Sequence, residues 1–83
     1  MSVKLKIVSP EKIAFEGEVV SVTVPGTVGQ FQILVNHAPI ISSLEKGTVE
    51  FVLENGEKQT VDISGGFVEV QKNVVSLCVE LNN

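Results

Sequence analysis

The chain has 83 residues, 43% of them hydrophobic, and a formal charge of −4 from ten acidic and six basic residues. Every basic residue is a lysine, and tryptophan and tyrosine are absent, so the basic surface and stacking platforms used to bind nucleic acid are missing and an anionic membrane surface offers no electrostatic attraction. No apolar run approaches the roughly 20 residues of a membrane helix, and the N-terminus lacks the apolar segment of a secretory signal, so one soluble intracellular domain spanning residues 1–83 is expected, with no direct membrane insertion.

In chain order, Val3, Leu5 and Ile7 alternate with Lys4 and Lys6, which predicts a half-buried strand. Ser9-Pro10 ends it. Ile13 to Glu18 reads as a weaker strand, and Val20, Val22 and Val24 as a strong β-branched one. Pro25-Gly26 stops that strand, and Gly29 ends the loop. Phe31 to Val35 and Ala38 to Ser42 flank Asn36-His37. Val49 to Leu53 and Thr60 to Ile63 flank Asn55-Gly56, a hairpin signal in which both turn residues are expected at positive φ. Gly65-Gly66 is read as a break, Val68 and Val70 as a strand, Lys72-Asn73 as a turn and Val75 to Leu81 as a final strand. Eight or nine short strands with no convincing 3.6-residue period predict an all-β antiparallel sandwich or flattened barrel.

One stretch departs from clean alternation. Ile33, Leu34 and Val35 are consecutive, and Ala38, Pro39, Ile40 and Ile41 repeat the pattern. An extended chain must point such residues to both faces. One face can meet the core; the other calls for a partner or a second layer.

Groups that could carry chemistry are few. His37 is the sole histidine, and its neighbours Asn36, Ala38 and Pro39 include neither an orienting carboxylate nor a nucleophile. One histidine with a single distant cysteine does not make a zinc site. Cys78 is the only cysteine, so no intrachain disulfide forms, which fits a reducing compartment. It has no adjacent His or Lys to make it a reactive thiolate. Ser64-Gly65-Gly66 matches neither a nucleophile elbow nor a phosphate loop. Gly26-Thr27-Val28-Gly29 joins two strands and carries no basic residue, unlike the Gly-x-x-Gly loop of nucleic-acid modules. The scattered acidic residues sit mostly at outward strand positions. Without an arginine or a phosphate loop, no cofactor or nucleotide site is expected.

Five segments in order carry a resemblance: Ser9-Pro10-Glu11-Lys12 with Phe15-Glu16-Gly17-Glu18-Val19, the run Pro25 to Leu34, Asn36-His37-Ala38-Pro39, Leu44-Glu45-Lys46-Gly47, and Ile63 to Val70. Together they resemble the epsilon subunit of F-type ATP synthase from about Val3 to Val79. The resemblance implies a sandwich of two roughly five-stranded sheets. It implies a non-catalytic central-stalk role in a proton- or sodium-translocating enzyme, one copy per complex and monomeric in isolation, on the cytoplasmic face of the bacterial inner membrane. It places a gamma-subunit contact around Ser9, His37, Pro39 and Ile41. It directs Gly26, Thr27, Val28, Gly29, Gln30 and Phe31 at the ring of c subunits. Many relatives have an acidic residue where Gln30 stands, and often a glycine at Gln32. The loop's low apolar content predicts mostly polar, rim-like ring contacts. Most epsilon subunits continue into a C-terminal hairpin of two helices; this chain stops at Asn83, either as a naturally short form or as the sandwich part of a longer one, and no large conformational switch is expected of it.

The competing reading is a free-standing β-sandwich binding module. A lipoyl domain needs a lysine at an exposed hairpin tip, whereas Lys58 lies two residues from Asn55-Gly56, and sugar binding normally uses exposed Trp or Tyr.

Overall fold

Apolar residues at alternate positions cover one face of a pleated strand, and this chain supplies them almost without interruption. The computed structural model describes residues 2–82. They form β1 (Val3–Val8), β2 (Ile13–Gly26), β3 (Gly29–Ile33), β4 (Ile40–Leu44), β5 (Gly47–Leu53), β6 (Lys58–Gln71) and β7 (Val74–Leu81). No helix occurs among them.

Two of the seven strands are 14 residues long and serve both layers. One layer runs from the first half of β2 through β1, β7 and the second half of β6 to β4. The other runs from the first half of β6 through β5 and the second half of β2 to β3. That gives five strand segments in one layer and four in the other, a sandwich wrapped toward a barrel. Every ladder is antiparallel except β1–β7, which is parallel.

Both long strands change which parity faces the core as they pass between sheets, from Val19 to Val22 and Val24 in β2 and from Ile63 to Val68 and Val70 in β6. The register of β2 shifts between Val19 and Ser21, and that of β6 between Ile63 and Gly65. Bulges of this kind turn sandwich corners. The β2 shift explains Val20, which sequence alternation groups with Val22 and Val24. Val19 and Val22 are fully buried on either side of the bulge, and Val20 points out at 37% exposure. It also explains the lower strand count: the stretches expected as separate strands before and after Val19 are one strand. Likewise Gly65-Gly66 does not break the chain but lies inside β6.

Gly66 has φ +148, and a Cβ there would collide with the Cys78 carbonyl oxygen. Only glycine lets β6 pass β7 this closely.

Between the layers lies an aliphatic core that includes Leu5, Ile7, Val22, Ile33, Ile63 and Leu77 around Phe51. Phe15 closes one side, its ring 4.4 Å from Phe51 at 46°. None of the described buried residues is polar or charged.

The hairpin turns differ from expectation in type. At Asn55-Gly56 only Gly56 has positive φ, +92. The Gly56 N–H donates to Leu53 O, and the Leu53 N–H donates to Glu57 O. The loop is therefore a three-residue turn ending in a glycine bulge. The two-residue turn with both φ values positive is Lys72-Asn73, at 52° and 62°.

Asn73 also fixes the irregular segment between β3 and β4. Its Oδ1 accepts the Asn36 N–H at 2.6 Å, and its amide donates to Asn36 Oδ1 at 3.2 Å. Asn36 is itself left-handed, φ 64°. The chain therefore leaves the extended state after Ile33. Leu34 turns out to solvent, and Val35 packs back on the core. The consecutive apolar residues at 33–35 are the two sides of a turn rather than two faces of one strand.

Two stability outcomes are expected from urea unfolding. Gly66→Ala should cost about 3 kcal/mol through the collision and the backbone strain. Gly65→Ala, whose Cβ would have its nearest contact at 3.8 Å, should cost less than about 1 kcal/mol. Equal losses would mean that the crossing of β6 tolerates a side chain. Asn73→Ala should cost about 1–2 kcal/mol, because it removes the bonds to Asn36 and a residue suited to the left-handed turn.

Candidate functional site

The residues that the sequence singles out fall into two groups, placed by the two ends of β4. Beyond the Leu44 end lies the β2–β3 hairpin tip. Gly26 pairs with both Gly29 and Leu44, which leaves Thr27 and Val28 as the turn. The Thr27 N–H donates to Ser43 O at 3.2 Å, and the Glu45 N–H donates to Pro25 O at 2.9 Å. The tip is thus tied to β4 and its exit rather than projecting freely.

Gly26 is buried beneath the Phe31 ring, with no room for a side chain. Phe31 is half-buried and packs on the core. Gly29, at φ +143, absorbs the twist that Thr27 and Val28, neither at positive φ, do not supply. Gln30 is exposed, and Val28 is 100% exposed. The structure therefore gathers Gly26, Thr27, Val28, Gly29, Gln30 and Phe31 into one pinned element.

The second group is more spread. Pro39 and Ile41 flank the start of β4, with Ile41 74% exposed. A shallow groove beside them is lined by Glu69 and Gln71 of β6. His37 is half-buried in the turn, where its N–H donates to Leu34 O and its Nδ1–H to Ala38 O at 2.7 Å. That is its only ring hydrogen bond among the described residues, and it holds the ring against its own backbone.

Ser9 sits across the sheet. Its N–H and hydroxyl both reach Lys12 O, and its oxygen accepts the Lys12 N–H at 3.3 Å, closing the β1–β2 turn. Ideal strand spacing over the three intervening ladders puts Ser9 about 17 Å from Ile41. The four residues share one face and its edge without touching as one cluster.

What joins them was not visible in the sequence. Val8 pairs with Ile13 and Cys78, Cys78 pairs with Phe67, and Phe67 pairs with Ser43. Side chains directly opposite in a ladder share a face. Ile13 and Phe67 are 55% and 49% exposed, and Val8 and Cys78 are half-buried. A row of apolar groups thus crosses the outer face of the five-stranded layer. It borders an apolar groove that reaches Ser9 and Pro10, and Ile41 stands beyond its far end. Apolar residues at outward strand positions are the signal that could have revealed it, given the register. Among the described residues no group of three or more His, Cys, Asp or Glu converges.

Comparison with known proteins addresses the whole chain. The family described as ATP synthase, Delta/Epsilon chain, beta-sandwich domain matches residues 2–81. An ATP synthase epsilon chain of Leptospira borgpetersenii is 44% identical over 77 residues, covering 92% of this chain and 59% of that relative. One from Nitratiruptor is 42% identical over 79 residues, covering 95% and 61%. The chain therefore spans about three fifths of the length of these relatives.

Among solved structures, a chain of the Euglena gracilis mitochondrial ATP synthase (OSCP/F1/c-ring) superposes with a TM-score of 0.89 at 25% identity, over 94% of this chain and 50% of that one. A chain of the Tetrahymena thermophila mitochondrial ATP synthase central stalk and c-ring superposes with a TM-score of 0.78 at 15% identity, covering 93% and 62%. At that identity the second match speaks for the fold alone. The resemblance carried by Ser9-Pro10, Asn36-His37-Ala38-Pro39 and Ser64-Gly65-Gly66 is borne out: this chain belongs to the β-sandwich family of ATP synthase delta and epsilon chains.

Proposed function

We propose that the chain is a non-catalytic rotor element that links the gamma subunit to the c ring of an ATP synthase. In this reading it works on the cytoplasmic face of the membrane, in one copy per complex, and passes rotation between ring and shaft. The observation that carries the proposal is the exposed apolar row Ile13–Val8–Cys78–Phe67. It lies between Ser9 and Ile41, on the face expected to meet gamma.

Contiguous exposed apolar surface rimmed by polar residues is a mark of protein contact. Here Glu69, Gln71, Lys6 and Glu16 supply the rim. The tip at the far end of β4 is left free for the ring. A body placed between two partners transmits load if it resists deformation, and a close-packed interior, apolar at every described buried residue, does so.

The test is binding of gamma to the intact chain. Phe67→Glu and Ile41→Glu each place a charge on the apolar face and should weaken binding by about 2 kcal/mol or more, if these residues are desolvated on docking. Both side chains point to solvent, so unfolding midpoints should stay close to that of the parent. Gamma binding within twofold of the parent for both variants would remove the assignment of this face.

A further inference from the structure

We infer that Asn55 is a covalent modification site of the folded chain, where the Gly56 nitrogen closes on the side-chain amide and converts the residue to aspartate and isoaspartate. The inference concerns the β5–β6 hairpin alone and does not rest on the proposed rotor role.

Asn36, Asn55, Asn73 and Asn82 are the asparagines among the described residues, and Asn55 is the one followed by glycine. Asn36 and Asn73 are tied to each other by two hydrogen bonds and precede His37 and Val74, which carry a Cβ. Glycine has none, so the approach to its nitrogen is open. The space around the turn is open as well: a Cβ on Gly56 would meet nothing within 4 Å. Every residue from Glu54 to Lys58 is exposed, so water reaches both reacting groups.

The step needs no oxidant and no cofactor. The Gly56 nitrogen gives its proton to hydroxide and attacks Asn55 Cγ. The new C–N bond closes a cyclic imide, the bond from Cγ to the side-chain nitrogen breaks, and that nitrogen takes a proton from water and leaves as ammonia. Water then opens the imide at one carbonyl to give aspartate, or at the other to give isoaspartate.

Two hydrogen bonds of the turn bear on the rate in opposite directions. Oδ1 takes on negative charge as Cγ is attacked, and it already accepts the Glu57 N–H at 2.9 Å. A donor so placed holds more strongly as the charge develops. Against this, the Gly56 N–H donates to Leu53 O at 2.9 Å and must let go before its proton is lost. One exposed backbone bond retards such a step by about tenfold at most, and a hairpin tip opens locally at small cost. The folded turn therefore leaves the reaction near the rate of a free chain.

Isoaspartate lengthens the main chain by one carbon, and the bonds that Leu53 makes to Gly56 and Glu57 are set for a normal turn. The disturbance stays local. β5 runs from Gly47, where a Cβ would press on the Pro25 ring, to Leu53. The modified turn is thus about 20 Å from the β2–β3 tip.

The experiment incubates the full chain in mildly alkaline buffer at physiological temperature, folded and in guanidinium chloride, and follows each asparagine by peptide mapping and mass spectrometry. Asn55 should convert first, with isoaspartate among the products, at a rate in the folded chain within about tenfold of that in denaturant. Gly56→Ala should slow conversion about tenfold or more in both states, a comparison that does not depend on how the variant folds. Four results would overturn the inference. These are folded-state conversion slowed beyond that tenfold limit, aspartate without isoaspartate, earlier conversion of Asn36 or Asn73, and a Gly56→Ala rate equal to that of the parent.

Discussion

The fold depends on two strands each belonging to two sheets. A regular strand alternates without change, so β2 and β6 would turn their apolar residues to solvent on entering the second layer. The bulges at Val19–Ser21 and Ile63–Gly65 reset the alternation. Gly66 then lets β6 run against the β7 backbone. The remaining geometry follows. The β2–β3 tip stands where it does because the second half of β2 has left the first layer. The start of β4 presents Ile41 outward because β4 pairs with the portion of β6 beyond its crossing.

With all described buried residues apolar, the interior is held by packing and ladder hydrogen bonds. Charge adds little. The ion pair between Lys58 and Glu50 spans 3.7 Å with both side chains largely exposed, a setting that contributes well under about 1 kcal/mol. The polar bonds that do matter are local and sit where the chain turns. Asn36 with Asn73 holds the β3–β4 connection, Ser9 with Lys12 the β1–β2 turn, and Thr27 with Ser43 the tip. Each lies beside a face proposed to meet a partner, so a uniform interior is combined with individually fastened surface elements.

Much of the sandwich was legible in the sequence, because period-two alternation is a local property. Val3, Leu5 and Ile7, the hairpin around Asn55-Gly56 and the turn at Lys72-Asn73 all lie where the pattern puts them. The two long strands were not legible. A bulge leaves the backbone extended while changing its parity, and in a sequence that looks like the end of one strand and the start of another. Gly65-Gly66 deepened the ambiguity, since glycine serves both a break and a close crossing. The parallel pairing of β1 with β7 joins residues from opposite ends of the chain, and no local pattern carries it. The same holds for the candidate site. The tip and the Asn36–Pro39 segment could be located by resemblance, whereas the row from Ile13 to Phe67 draws on four strands and exists only once their registers are set.

The parallel β1–β7 ladder also governs when the molecule can become a closed body. The ring of strands runs from β1 to β2, β5, β6, β7 and back to β1. Its last joint matches Lys4 with Val74 and Val8 with Cys78, so one side of β1 stays an open edge until β7 has been made. During synthesis the nascent chain would carry that unpaired edge, a template for pairing with other chains, until residues 74–81 have emerged. Lys4 and Lys6 point outward from this strand, and lysine on an open edge discourages such pairing. The two residues then guard the growing chain, a task that ends once β7 docks.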